Sequence, residues 1–435
     1  MKTHFKTFGC KVNLYETENM KQNFKKNGYT ISDNESDSDI FVINTCTVTE
    51  TGDKKVFKEL RRLRREYPES IIAVTGCYPQ AFPDKAKEIP EADILTGTKN
   101  RNSLPEIVSE YIISKEKQIS ICEYSQNDAF EDMCNTGYEN NTRGFIKIQD
   151  GCNMFCTYCI IPYSRGRFRS KPLETLKKEA ALLAASGCRE IVLVGINLSF
   201  YGIEYGLRLS DAVETVCSVD GIERIRLGSL EPEMINDNDI DRLSEQKKLC
   251  PHFHLSLQSG CDKTLKAMNR RYDTASYRSL VKKLRESFED CSITTDVMVG
   301  FPGETDEDFE RSAKFVREIG FSRVHVFPYS PREGTPAADY PDQISEGEKQ
   351  SRAKKMTLAA KDGSQKFLQS RLGRTFPVLF EREKSDKIPH GYTPDYTQVK
   401  IFTKISEKSL RNRIFYVKIE GVENDYCFGK IISEQ

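Results

Sequence analysis

The 435-residue chain carries no net charge: 65 lysines and arginines stand against 65 aspartates and glutamates. A global field able to hold a polyanion is thereby excluded, and any contact with nucleic acid must come from local patches. Long apolar runs are also absent. None approaches the roughly 20 residues of a membrane span, so no membrane partner is expected. The first residues, Met1-Lys2-Thr3-His4-Phe5-Lys6, lead straight into a strand pattern and lack a signal-peptide core. These absences place the protein in the cytoplasm, where the reducing medium disfavours disulfides. The 14 cysteines are then better read as metal or cluster ligands than as a disulfide framework. The length suits about three domains.

Three cysteines stand together as C-x3-C-x2-C in Cys152-Asn153-Met154-Phe155-Cys156-Thr157-Tyr158-Cys159. A fourth local ligand is missing, since the next cysteine downstream is Cys188 and the next histidine His252. That gap weighs against zinc, which wants its fourth ligand at finger-like spacing; buried structural thiols are the other plain alternative. A cubane iron–sulfur cluster takes four ligands, normally thiolates. Three leave one iron open, as catalytic metal sites keep a free position. The apolar strand Phe145-Ile146-Lys147-Ile148 and the pair Asp150-Gly151 place the run on a loop at a strand's C-terminal end. The run resembles the signature of the radical S-adenosylmethionine (SAM) superfamily. That resemblance implies a 4Fe–4S cluster whose open iron is chelated by the amino and carboxylate groups of SAM, with Tyr158 near the adenine.

Residues 1–120 read as a parallel α/β domain. Three short apolar runs end in Cys10, Cys46 and Cys77, and helical patterns near Glu16 to Asn27 and Thr51 to Tyr67 separate them. Parallel strands present their C-terminal ends along one edge, where such sheets bind ligands. The three cysteines should therefore converge, with Gly9 and Gly76 allowing close backbone approach. Three thiolates there look like a second cluster, against the plainer reading of buried structural cysteines. The words Phe8-Gly9-Cys10-Lys11-Val12-Asn13 and Asn44-Thr45-Cys46-Thr47-Val48-Thr49, followed by Gly76-Cys77, resemble the N-terminal domain of the methylthiotransferases. They are most similar to the branch acting on N6-threonylcarbamoyladenosine in tRNA, and the resemblance covers essentially the whole chain. The helix between the second and third cysteines is rich in basic residues from Lys54 to Arg65, a solvated face or a phosphate-binding one. Residues 121–142 are polar and aperiodic, and read as a linker containing Cys122 and Cys134.

Residues 143–365 show six strand patterns, beginning near Phe145, Glu190, Arg224, His252, Ser292 and Arg323, with helices between several of them. Six strands are too few for a closed eight-stranded barrel. They fit the partial (β/α)6 barrel of the radical SAM enzymes. Polar and glycine-rich words follow the strands, where barrel enzymes place their chemistry. By resemblance, Gly195 to Asn197 would hold the SAM amino group, Ser229, Glu231 and Gln258 its ribose and carboxylate, and Val299-Gly300 would back the adenine. His252 and His254 are expected on opposite sides of their strand, in core roles or tautomer-fixed hydrogen bonds. Arg165, Arg167 and Arg169, and Arg270 in a second basic word, are candidates to bind substrate phosphate or carboxylate.

From 366 to 435 the pattern changes to strands alone, which reads as a small antiparallel β-barrel. Tyr392, Tyr396 and Phe402 lie among Lys400, Lys404 and Arg411, as an RNA surface needs for stacking and phosphate contact. Place and size resemble the RNA-binding TRAM domain of the family. The resemblance as a whole implies an enzyme with two 4Fe–4S clusters and SAM. It would methylthiolate C2 of N6-threonylcarbamoyladenosine at position 37, in the anticodon stem-loop of tRNA. An electron donor such as flavodoxin or ferredoxin and a sulfur source are implied partners. Action on isopentenyladenosine in tRNA or on a ribosomal protein, and a non-enzymatic iron–sulfur RNA sensor, are the other readings.

Overall fold

Alternating short apolar runs and helical stretches build a six-stranded, all-parallel sheet at the N-terminus of the computed structural model, which describes residues 1–131, 133–134, 142–381, 388–402 and 410–435. Lys2–Thr7 lies between Thr30–Ile31 and Ile40–Thr45, and Ile71–Gly76, Ile94–Thr96 and Gln118–Ser120 follow outward. The strands Ile40–Thr45 and Ile71–Gly76 are buried along their whole length, as a parallel sheet covered on both faces requires. Helix Lys11–Lys26 packs on one face through Met20 and Phe24. Helix Glu50–Glu66 covers the other through Val56, Leu60 and Leu63. Its basic run is partly paired: Arg62 pairs with Glu35, Glu59 and Glu66, Arg64 with Asp93, Lys54 with Glu50 and Arg65 with Glu66, while Lys55, Lys58 and Arg61 are exposed and form no ion pair with any described residue.

All six expected barrel strands form, as Arg143–Lys147, Glu190–Val194, Arg224–Leu227, His252–Leu255, Ser292–Val299 and Arg323–Pro328. Their pairings are parallel and fall in two sheets, one holding the first three strands and the other the last three with the short strand Ser229–Leu230, and the first and last strands are edges that do not pair. The barrel is therefore open on one side. The first turn of helix Lys11–Lys26 enters that side, where Val12 packs on Phe145, Val192, Val194 and Ile196.

The expected linker is tied down where it is described. Tyr124 lies under the Arg169 guanidinium at 4.8 Å, and the buried Met133 carbonyl accepts from Tyr15 and Lys171. Its stretch 138–141, like Lys404, lies outside the described residues.

The C-terminal residues close into a five-stranded barrel, in the order Thr375–Phe380, His390–Tyr392, Gln398–Lys400, Tyr426–Glu434, Ile414–Glu423. This is a TRAM-like architecture. His390–Tyr392 has too little apolar pattern to be read as a strand from sequence, and the pair Gln398–Lys400 with Tyr426–Glu434 is parallel rather than antiparallel. The barrel docks on the N-terminal ends of the first SAM-barrel strands. Arg143 donates to Tyr396 at 2.9 Å, and Arg226 donates to the Pro394 carbonyl at 2.8 Å. Tyr392 and Tyr396 stack on each other at 4.7 Å, with Arg226 over Tyr396 at 4.4 Å. These two aromatics are thus spent on docking rather than offered to RNA. Phe402 is 55% exposed and is free for that role.

Candidate active site

The loop Cys152 to Cys159 leaves the short strand Gln149–Asp150 and ends at helix Ile161–Arg165. Gly151 has φ +72°, and a Cβ there would sit 2.0 Å from the Arg167 carbonyl, so only glycine lets the loop turn this tightly. Its far side is pinned by Thr157, which donates to the carbonyls of Met268 and Ala267, and by Asn269, which donates to those of Met154 and Phe155. The three thiols lie close enough to feel one another's charge, and burial pushes Cys152 up to about 11.

Polar groups converge on these sulfurs. Asn197 points its Nδ2 at Cys152 from 3.9 Å, and its backbone N–H donates to Gln149 at 2.7 Å. The Asn197 side-chain oxygen and both carboxylate oxygens of Glu233 are buried without a hydrogen-bond partner among the described residues. Such orphaned acceptors beside the thiols suit the ammonium of a bound amino acid. Glu233 was not singled out from the sequence; its position two residues after Glu231 was the available signal. Ser229 and Gly195 border the barrel cavity. Gln258 holds φ +59° and bridges to Val297 through its backbone. Val299 is fully buried in the barrel core, and a Cβ on Gly300 would strike Lys349 at 2.4 Å, so this pair can offer a ligand only backbone. Tyr158 packs between the thiols and a cluster of Met268, Phe301 and Tyr329.

Of the four arginines expected to meet substrate, the structure commits three elsewhere. Arg165 is fully buried, donating to Glu16 at 2.8 Å and to Asp150 at 3.0 Å. Arg169 donates to Asp150 at 3.3 Å and to two backbone carbonyls. Arg270 pairs with Glu231 and reaches the Cys156 sulfur at 3.3 Å. Their acidic partners lie outside the basic words, from 15 residues away for Asp150 to 149 for Glu16, so the words alone could not reveal them. Arg167 remains exposed. Arg270 engages one oxygen of the Glu231 carboxylate, and the other oxygen keeps its acceptor capacity.

The second set of cysteines follows three neighbouring strands. Cys10 caps helix Lys11–Lys26, Cys46 follows Ile40–Thr45, and Cys77 opens helix Cys77–Ala81. The parallel register brings Thr45 beside Gly76 and Thr7 beside Asn44, so the strand ends align. Gly9, at φ +116°, lies so close to Cys46 that a Cβ would meet its Cβ at 2.7 Å. Cys10 donates to Asn13 at 3.3 Å, and Arg165 reaches the same Asn13 oxygen from 3.3 Å. Burial pushes the Cys77 thiol up to about 12 and raises Cys46, while the Arg165 cation opposes this at both. Gly9→Ala should lower the iron this triad takes up on anaerobic reconstitution, read as iron per chain; unchanged iron would show the close approach to be dispensable.

Each triad offers three sulfurs and, among the described residues, no fourth, which is the donor set a cubane with one open iron would take; a metal's charge would hold those sulfurs as thiolates. Among the described residues no three His, Cys, Asp or Glu side chains gather as a single-ion site. Ligands of a cubane bind separate irons and must stand further apart than those of one ion.

Inside the barrel, beside Cys10, lies a cavity of about 1370 Å³. Cys10 and Lys11 form part of its wall, Gly195 and Ser229 border it at the strand ends, and His252, His254, Asp296 and His325 line its interior. The two histidines of one strand thus face the same side, against expectation, because side chains two residues apart on a strand share a face. Both bond to Thr294, His254 Nδ1 at 3.0 Å and His252 Nε2 at 3.2 Å.

A partial parallel barrel with a three-cysteine loop at its C-terminal mouth defines a radical SAM enzyme, and the model of that superfamily matches residues 146–316. Residues 2–97 match the family described as Uncharacterized protein family UPF0004. A threonylcarbamoyladenosine tRNA methylthiotransferase MtaB of Bacillus subtilis is 36% identical, over 98% of this chain and 96% of its own. Its Thermotoga maritima counterpart is 37% identical, over 92% and 91%. A tRNA-2-methylthio-N(6)-dimethylallyladenosine synthase of Alkaliphilus oremlandii is 35% identical, over 98% and 92%. Among solved structures, the radical SAM methyltransferase TsrM of Kitasatospora setae shares the fold with TM-score 0.57 at 12% identity, over 78% of this chain and 74% of that one. The chain belongs to the radical SAM tRNA methylthiotransferase family. No helix among the described residues is long and apolar enough to cross a membrane.

Proposed function

We propose that the protein methylthiolates C2 of N6-threonylcarbamoyladenosine at position 37 of tRNA, giving the 2-methylthio derivative, with one 4Fe–4S cluster on Cys152, Cys156 and Cys159 and a second on Cys10, Cys46 and Cys77. The observation that carries this reading is the shared cavity, which has Cys10 in one wall and the SAM-side residues Gly195 and Ser229 in another. C2 of adenine is an unactivated aromatic carbon beyond ordinary acid–base chemistry, so a cofactor must supply the reactivity. When bound, SAM and the first cluster supply a 5′-deoxyadenosyl radical, and the second cluster carries the sulfur destined for C2. The chain's own residues orient and exclude water. Asn197 and Glu233 offer acceptors to the SAM ammonium, Arg270 holds a fixed positive charge on Cys156, and Val12 seals the open side of the barrel.

Relatives named for threonylcarbamoyladenosine and for dimethylallyladenosine match at nearly equal identity, so names alone do not choose the substrate. The words around Cys10 and Cys46 favour the first. The anticodon stem-loop, a flavodoxin- or ferredoxin-type electron donor, a sulfur source and a cytoplasmic setting complete the proposal. Mass spectrometry of tRNA nucleosides from a deletion strain tests it: 2-methylthio-N6-threonylcarbamoyladenosine should vanish while its precursor accumulates. An unchanged level would overturn the assignment. Reconstituted protein given dithionite and SAM should form 5′-deoxyadenosine, which a non-enzymatic sensor would not.

A further inference from the structure

Three of the chain's five histidines line one cavity, and their hydrogen bonds fix what they can offer. The Asp296 carboxylate lies 3.3 Å from His254 Nε2, and its negative charge favours the tautomer with the proton on that nitrogen. His254 Nδ1 must then accept from the Thr294 hydroxyl at 3.0 Å, and that oxygen accepts from His252 Nε2 at 3.2 Å. His325 stands outside this chain, exposed to the cavity with its ring 6.0 Å from His254. On the facing wall Lys11 is open to the cavity, forms no ion pair with any described residue, and is near enough for its charge to be felt at His252 and His325. The interior therefore presents an uncommitted ammonium, an uncommitted imidazole and a carboxylate–imidazole pair. An apolar ligand would leave these groups desolvated without partners, at considerable cost. A ligand with a carboxylate and a hydroxyl would satisfy them.

We propose that Lys11 on one wall and His325, Asp296 and His254 on the facing wall form the subsite for the substituent at N6 of the substrate adenine, and that this subsite takes a carboxylate-bearing, hydroxylated amino-acid group. It rests on the threonylcarbamoyladenosine reading above and deepens it, because it names the side chains that separate this substrate from a dimethylallyl one. A site built to bond a polar group rejects the analogue lacking it far more strongly than an apolar pocket rejects an added hydroxyl.

The test is anaerobic binding of the reconstituted protein to three synthetic anticodon stem-loops, carrying adenosine, N6-threonylcarbamoyladenosine or N6-dimethylallyladenosine at position 37. The wild-type chain should hold the threonylcarbamoyl loop roughly ten- to a hundredfold more tightly than the unmodified one, the range of one or two charge-assisted bonds. His325→Leu and Lys11→Gln should each bring that ratio toward one. His325 is exposed, so its replacement disturbs little packing, and Lys11→Gln keeps a polar side chain next to Cys10. A methyl ester on the threonyl carboxylate, tested on the unaltered protein, should lower the ratio likewise and does not depend on any variant folding. A ratio that survives both substitutions and the ester overturns the subsite alone. A wild-type chain that prefers the dimethylallyl loop, or distinguishes none of the three, overturns the substrate reading itself.

Discussion

Cys46→Ala protein will still convert SAM to 5′-deoxyadenosine but will leave its tRNA without the methylthio group. Cys46 ends a fully buried strand and stands against Gly9 in the second triad, whereas the SAM-side loop is pinned by its own contacts to Met268 and Asn269. Removing one sulfur from a set of three leaves two ligands for a cubane, too few to hold it. Iron after anaerobic reconstitution should fall from about eight to about four per chain, one cubane's worth. Methylthiolation should fall by on the order of 10⁴ or more, the scale for deleting a group that takes part covalently. Both numbers come from one preparation, by iron analysis and by mass spectrometry of the nucleosides. Product at more than a trace would mean that the second triad does not supply the sulfur.

The other large effect is expected at Glu16, which touches no proposed substrate. Its carboxylate is wholly buried between Arg165 at 2.8 Å, Arg101 at 3.1 Å and Lys147 at 3.1 Å. Two of these cations come from the SAM barrel and one from the N-terminal domain, so the cluster ties the two units together. Asp150 pairs with Lys147, Arg165 and Arg169 in the same network. Glu16→Leu would leave the cations with one carboxylate fewer in a dry interior, and breaking such a pair costs about 3–5 kcal/mol. A chain with ordinary stability of about 5–15 kcal/mol loses a large part of it. We expect an earlier urea transition and faster proteolysis near the junction. Equal resistance in the variant would show that the network contributes no net stability.

The same network gives a pH dependence of definite sign. Burial by itself would raise the Glu16 carboxyl, but the Arg101, Arg165 and Lys147 cations outweigh burial and hold it well below the usual carboxylate range. Asp150 is displaced the same way. A depressed carboxyl contributes fully above its unfolded value and loses that contribution as pH falls through the folded one. The junction should therefore hold at neutral pH and loosen only below the ordinary carboxylate range.

Much of this architecture was legible because it is written at short range. The C-x3-C-x2-C spacing, the strand ends at Cys10, Cys46 and Cys77, and the six βα repeats are local patterns, and each appears where its period placed it. Where reasoning from local words failed, the missing term was a partner distant in the chain. Arg165, Arg169 and Arg270 look like anion-binding residues within their own words; in the folded protein Glu16, Asp150 and Glu231 already neutralise them. Tyr392 and Tyr396 look like stacking platforms for bases, and Arg143 and Arg226 use them to dock one barrel on another.

Alone, the sequence determined which cysteines stand in threes and which strand ends carry them, because residue spacing and strand period are properties of neighbouring residues. Only the tertiary structure decided that Cys10, Lys11 and His325 border one chamber and that Glu16 meets Arg165 across 149 residues. Charge pairing and cavity walls arise when separate elements dock, and no local pattern records which surfaces will meet.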